Sequence, residues 1–160
     1  MNAWMQAWGP LGDYATDAAQ RTILFWDVLR QRSQQYYAQK AKAVPHVLSF
    51  DAELVLDART FVIQVNYLLV RIKPPAGVVI DPLKRPFVVV DPRAGHGPGI
   101  GGFKADSEIG VAMRAGHPCY FVGFTPDPMP GQTIEDIIYA EIAFLEKVVE
   151  LHPRAEGKPC

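Results

Sequence analysis

The sequence predicts an α/β fold: antiparallel opening strands, then a parallel strand–helix–strand unit, all preceded by an N-terminal amphipathic helix. Three observations predict it. Phe87-Val88-Val89-Val90 is a short continuous apolar run, which marks a strand buried on both faces. A glycine-rich loop and a short helical pattern follow, and Cys119–Phe124 is a second apolar strand. A long amphipathic pattern then starts at Thr133, a good N-cap with an acid three residues on at Asp136.

Length and charge narrow the function classes. The chain has 160 residues, 49% of them hydrophobic and 21% charged, the composition of one globular domain. Sixteen basic residues against seventeen acidic ones give a formal net charge of -1. That balance lacks the basic footprint of a nucleic-acid binder or a polybasic membrane-surface protein. No apolar run approaches the roughly 20 residues that span a bilayer, so no transmembrane segment is expected. Met1 to Asp13 has no basic leader followed by an apolar core, and two cysteines, Cys119 and Cys160, make no disulfide framework. The expected location is the cytoplasm.

Taken in order, the chain divides into an N-terminal helical segment, 1–44, and an α/β domain, 45–160. Tyr14 to about Lys42 reads as one helix, with Ala15, Ala18, Thr22, Phe25, Trp26, Leu29, Ser33 and Tyr36 on one face. Such an aromatic face either packs on the domain or docks on a partner. Pro45 closes the helix. Val47–Leu56 and Phe61–Ile72 read as an antiparallel pair around Asp57-Ala58-Arg59, and two proline-containing loops lead to Phe87. Asp106-Ser107-Glu108 opens a short helix whose inner face is Ile109, Ala112 and Met113, and Gly116-His117-Pro118 stops it. In the last helix Ile134, Ile137, Ile138, Ile142, Leu145, Val148 and Val149 are expected on the inner face.

Chemistry is expected at the loop Asp91–Gly102, since open α/β sheets place ligands beyond the C-terminal ends of parallel strands. The ligand-binding candidates are Arg93, Gly95, His96, Gly97, Gly99, Gly101 and Gly102. Gly97, Gly99 and Gly102 formally meet G-x-G-x-x-G. A dinucleotide turn follows its strand directly, however, whereas Asp91 to His96 intervene here and Pro98 removes a donor. His96-Gly97-Pro98-Gly99 instead fits a loop that lends a backbone N–H to an oxyanion hole after a third strand. Arg93 either holds an anionic group or pins the loop to Asp91 or Asp106. His117 and Cys119 read as structural. No G-x-S-x-G or G-x-C-x-G elbow occurs, and no H-x-x-x-H or C-x-x-C spacing suggests a metal; no cofactor is expected.

The stretches Arg85–Lys104 and Gly116–Phe124, with Pro130–Asp136 and Tyr14–Ala18, resemble a bacterial family of uncharacterised α/β-hydrolase-like proteins labelled 3-hydroxyalkanoate synthetase or polyhydroxyalkanoate-synthase-like. The resemblance implies the first half of an α/β-hydrolase-type sheet, ending before a cysteine-centred nucleophile elbow. It also implies a polyester-synthase-like acyltransferase or hydrolase acting on an acyl or hydroxyacyl thioester, with nucleophile, acid and base outside this chain. The chain as written is therefore expected to be catalytically incomplete. The alternative, from a different class, is a binding or scaffolding module. It would dock on a partner or polyester granule through the N-terminal helix, or self-associate through that helix or an open sheet edge. A nucleotide-binding domain is a third and weaker expectation.

Overall fold

A computed structural model of the chain describes residues 3–42, 46–94 and 98–160, and side chains from Gly9 onward. It divides into two compact units, Met1–Lys42 and Ala43–Cys160.

The first unit is one helix, α1 (Ala3–Lys40). It starts well before the expected Tyr14 because it runs straight through Gly9-Pro10. Pro10 has no N–H to give its own helical bond, so Gly9-Pro10 reads as a break in sequence, yet the helix continues across it. Short-range ion pairs brace the helix surface: Arg21 with Asp17 at 2.8 Å and Arg30 with Asp27 at 2.8 Å.

The second unit holds strands β1 (Ala52–Asp57), β2 (Tyr67–Ile72), β3 (Phe87–Val90) and β4 (Cys119–Phe124), with helices α2 (Glu108–Arg114) and α3 (Ile134–Leu151). The sheet order is β1-β2-β4-β3. β1 and β2 pair antiparallel, β2 and β4 pair antiparallel, and β3 and β4 pair parallel with Phe87 opposite Cys119. The expected parallel strand–helix–strand unit is present. The opening pair is shorter than its apolar pattern suggested. A 3-10 turn, Ala58–Thr60, and an irregular stretch separate the two strands, and Val62 and Ile63 there are exposed.

β4 is central, and all six of its residues are buried. Its side chains alternate between two cores, as a strand's period of two requires. Tyr120, Val122 and Phe124 join Tyr67, Leu69 and the α3 residues Ala140, Phe144 and Val148 on one face. Cys119 and Phe121 join Val70, Ile72 and the α2 residues Ile109, Ala112 and Met113 on the other.

The Thr133 cap of α3 forms as expected. Thr133 Oγ1 accepts the Asp136 N–H at 3.2 Å, and the Asp136 carboxylate accepts the Thr133 N–H at 2.8 Å. The inner face differs from the expected one. Ala140, Phe144 and Val148 are buried with Ile137 beside them, whereas Ile134, Ile138, Ile142, Leu145 and Val149 are exposed. The helix is apolar round much of its circumference, so two adjacent stripes satisfy the same period. The sheet takes the stripe carrying Phe144, whose ring packs 6.0 Å from Phe61.

Candidate functional site

The glycine loop is organised by the residue that follows β3. Asp91 is buried, and its N–H donates to Val122 O at 2.9 Å, continuing the ladder with β4. Its Oδ2 accepts the N–H groups of Gly99 at 2.7 Å and Ile100 at 2.9 Å, and its Oδ1 accepts the Arg93 N–H at 2.8 Å. Three backbone donors thus converge on one carboxylate and fold the loop back over the end of its own strand. The loop closes further through Gly102 N–H to Gly99 O at 2.9 Å and Ile109 N–H to Gly101 O at 3.1 Å, which seats it against the start of α2. Gly101 has a φ of +92°, and a Cβ there would lie 2.6 Å from Val89 Cγ1, so both conformation and space require glycine.

Arg93 has a φ of +55°, a conformation that non-glycine residues adopt rarely and at some energetic cost. The turn bond to Asp91 holds it there. Its guanidinium lies 4.8 Å from the centroid of Phe124 and 5.6 Å from that of Tyr67, and Nη1 donates to Asn66 Oδ1 at 3.3 Å. The side chain therefore pins the loop to neither Asp91 nor Asp106: the backbone N–H meets Asp91, and the guanidinium crosses to the β2 side. Among the described residues it has no carboxylate partner.

Asn66 is the fully buried hub of this end of the sheet. Its amide donates to the Thr125 carbonyl, its N–H donates to Gln132 Oε1 at 2.9 Å, and its Oδ1 also accepts from Gln132 Nε2 at 2.8 Å. The result is a fixed polar floor with one exposed cation, the arrangement suited to orienting an anionic or carbonyl-bearing ligand. Sequence reasoning missed Asp91, Asn66 and Gln132 as site-building residues. Asp91 had a signal, an aspartate two residues before Arg93 at a strand end, which is an Asx-turn pattern. Asn66 and Gln132 are 66 positions apart and had none.

Of the other candidates, Gly99 and Gly102 lie in the described loop with their N–H groups bonded within it. Gly95, His96 and Gly97 lie outside the described residues.

The opposite end of the sheet holds a second polar group. Arg71 Nε and Nη2 donate to the Tyr120 hydroxyl at 3.1 and 2.9 Å, and that hydroxyl meets His152 Nε2 at 2.7 Å. Burial first, and then the positive charge of Arg71, hold the His152 pKa below its ordinary value, against a hydrogen bond to the Pro82 backbone. A groove of about 420 Å³ lies alongside, lined by Arg71, Ile80, Cys119, Leu151, His152 and Arg154 among others. Burial pushes the Cys119 thiol up to about 12, the state of an inert core cysteine. His117 Nδ1 bonds the Arg85 carbonyl at 2.8 Å and its ring edge meets Phe87. Among the described residues no group of three or more His, Cys, Asp or Glu side chains can hold a metal ion. None of the described helices is long and apolar enough to cross a membrane.

Residues 17–160 match the model of a family described as "Protein of unknown function (DUF3141)". The chain belongs to this family. A curated relative from Rhizobium meliloti, described as "Uncharacterized protein in ackA 5'region", is 68% identical over 147 residues. The match covers 92% of this chain and 20% of the relative, so the chain spans about a fifth of the relative's length. No solved structure matches the chain.

Proposed function

We propose that this chain is the opening half of an α/β-hydrolase-like acyltransferase or hydrolase, and that the loop after β3 contributes to the oxyanion hole of the longer protein. The observation that carries the reading is the Asp91 carboxylate. By taking up the Gly99 and Ile100 donors, it folds a glycine-rich loop over the C-terminal end of a parallel strand, where this chemistry collects its donors. The antiparallel opening pair and the parallel β3–β4 pair with α2 between them support the same reading. In this reading the donor is the His96-Gly97 step, on the ground of its sequence, while Gly99 and Gly102 use their own N–H groups inside the loop. In this reading Arg93, whose guanidinium lies over the Phe124 ring, meets an anionic or carbonyl-bearing part of an acyl or hydroxyacyl thioester. The nucleophile and its base belong to the remainder of the longer protein, and the 160-residue chain alone is incomplete.

The test is turnover of a 3-hydroxyacyl thioester by the full-length Rhizobium meliloti relative and by this chain. Turnover is expected from the relative alone. Replacing the residue that matches Gly97 by proline removes one N–H and should lower kcat by about two to three orders of magnitude with little change in KM. An inactive relative, or a proline variant with full kcat, overturns the reading.

A second reading has its own observation. Phe25, Trp26, Tyr36 and Tyr37 on α1 are all exposed, as a helix that docks on a partner or polyester granule requires. A blue shift of tryptophan fluorescence on adding polyester granules, lost in Trp26→Ala, would favour it.

A further inference from the structure

The groove of about 420 Å³ beside the Arg71–Tyr120–His152 group has walls of one character and charges of one sign. Pro74, Pro82, Pro118 and Pro153 line it. Proline fixes its own φ and carries no N–H, so these walls are stiff and poor in donors. Ile80 and Leu151 add apolar surface. The volume is that of a site for a small organic molecule, far more than one water or ion fills.

Arg71 of β2 and Arg154, in the turn after α3, bring the charge, and among the described residues no acidic side chain lines the groove. Arg154 takes part in none of the ion pairs among those residues, and Arg71 meets only an exposed Glu53, at a long 3.5 Å. The Arg71 guanidinium is nevertheless fixed, because Nε and Nη2 both donate to the Tyr120 hydroxyl at 3.1 and 2.9 Å. That hydroxyl, accepting twice, gives its one proton to His152 Nε2 at 2.7 Å, which leaves the imidazole neutral. The Arg71 fork retains N–H groups that none of these bonds uses. Two guanidinium groups thus share a donor-poor, apolar groove into which this chain brings no counter-charge.

We propose that this groove is a ligand site for a small organic anion, a carboxylate or phosphate monoester with a short apolar body. The head group takes the unused N–H groups of Arg71 and the guanidinium of Arg154 in charge-assisted hydrogen bonds. The apolar body lies on Ile80 and Leu151 between the proline walls. Tyr120 holds Arg71 in place before the ligand arrives, and the prolines hold the walls, so little ordering cost remains for binding. His152 adds no charge of its own, and the two arginines set the preference for an anion. The site goes beyond the proposed acyl chemistry. It lies at the opposite end of the sheet from the glycine loop and shares no residue with Asp91, Arg93, Asn66 or Gln132.

The experiment is an NMR titration of this chain with hexanoate, hexyl phosphate, inorganic phosphate, hexanol and hexylammonium. Hexanoate or hexyl phosphate should shift the Ile80 and Leu151 methyl and His152 ring resonances, and should bind about tenfold or more tightly than hexanol. The tighter of the two names the head group. Hexylammonium should leave these resonances unmoved. Arg154→Gln, at an exposed position, should weaken the anion by about tenfold and leave hexanol unchanged. The comparison of probes on the parent chain needs no variant to fold. Hexanol binding as tightly as both anions overturns the proposal, and so does inorganic phosphate binding as tightly as hexyl phosphate, since either removes one half of the recognition. Unchanged anion affinity in Arg154→Gln also overturns it. Anion shifts confined to the Asn66 and Gly99 amides would give the anion to Arg93 instead and refute this site. Thioester turnover by the relative, present or absent, leaves these outcomes as they are.

Discussion

Gly99 donates its N–H to the carboxylate of Asp91 at 2.7 Å, eight residues back along the chain, and both residues are buried. That one bond joins the end of a parallel strand to the far side of its glycine loop. The same oxygen takes Ile100 N–H and its partner oxygen takes Arg93 N–H, so one side chain ties together both described ends of the loop.

Asp91→Ala removes both accepting oxygens and with them three hydrogen bonds, leaving the buried Gly99 N–H without its partner. It should cost about 2–3 kcal/mol, read as a lower midpoint in urea at unchanged slope. Asp91→Asn keeps one accepting oxygen and should lose less than the alanine variant. An unchanged midpoint for Asp91→Ala would show that the loop holds itself.

Gly101 tests the fit between the loop and β3. Gly101→Ala introduces a strained φ of +92° and a methyl group 2.6 Å from Val89 Cγ1, and should destabilise by more than about 1 kcal/mol. In a Val89→Ala background the steric part vanishes and the conformational part stays. A double-mutant cycle should therefore give a coupling of about 0.5 kcal/mol or more. Strict additivity would refute the contact.

The two cysteines should react very differently. Cys119 is buried with its thiol pushed up to about 12, and Cys160 is exposed. At pH 8 a thiol-specific alkylating reagent should label Cys160 rapidly and Cys119 only after denaturation. The check is peptide mass spectrometry of native and unfolded samples, and native labelling at Cys119 would contradict its place in the core.

His152 makes stability depend on pH. Its folded pKa lies below the unfolded value near 6.5, so the unfolded chain binds the extra proton first as pH falls. The His152 contribution is therefore fully present above about pH 6.5 and is lost as pH drops through the folded pKa. His152→Gln should flatten this part of the stability profile between about pH 7 and pH 5. A profile identical to that of the parent would show that the burial of His152 beside Arg71 carries no such linkage.

Local signals decided much of the fold. The apolar run Phe87–Val90 and the apolar strand Cys119–Phe124 were legible because a parallel strand buried on both faces has no polar alternation. Thr133 and Asp136 were legible because a capping box lies within four residues. The glycine loop was legible as a tight turn beyond a parallel strand because only glycine fits its close approaches, as at Gly101. Tertiary structure alone decided the rest. Which stripe of α3 meets the sheet depends on how Phe144 fits against Phe61, and a 3.6-residue period is the same for both stripes. Arg93 reaching across to Asn66, with Gln132 behind it, joins residues from three loops that no local pattern relates. The bonds from the Cys160 N–H to Pro86 O and from the Val88 N–H to Cys160 O likewise follow from packing, since Gly157-Lys158-Pro159-Cys160 carries no strand pattern of its own. Propensity and periodicity act over a few residues, whereas these contacts are chosen by burial and by the need to pair buried polar groups across the whole sheet.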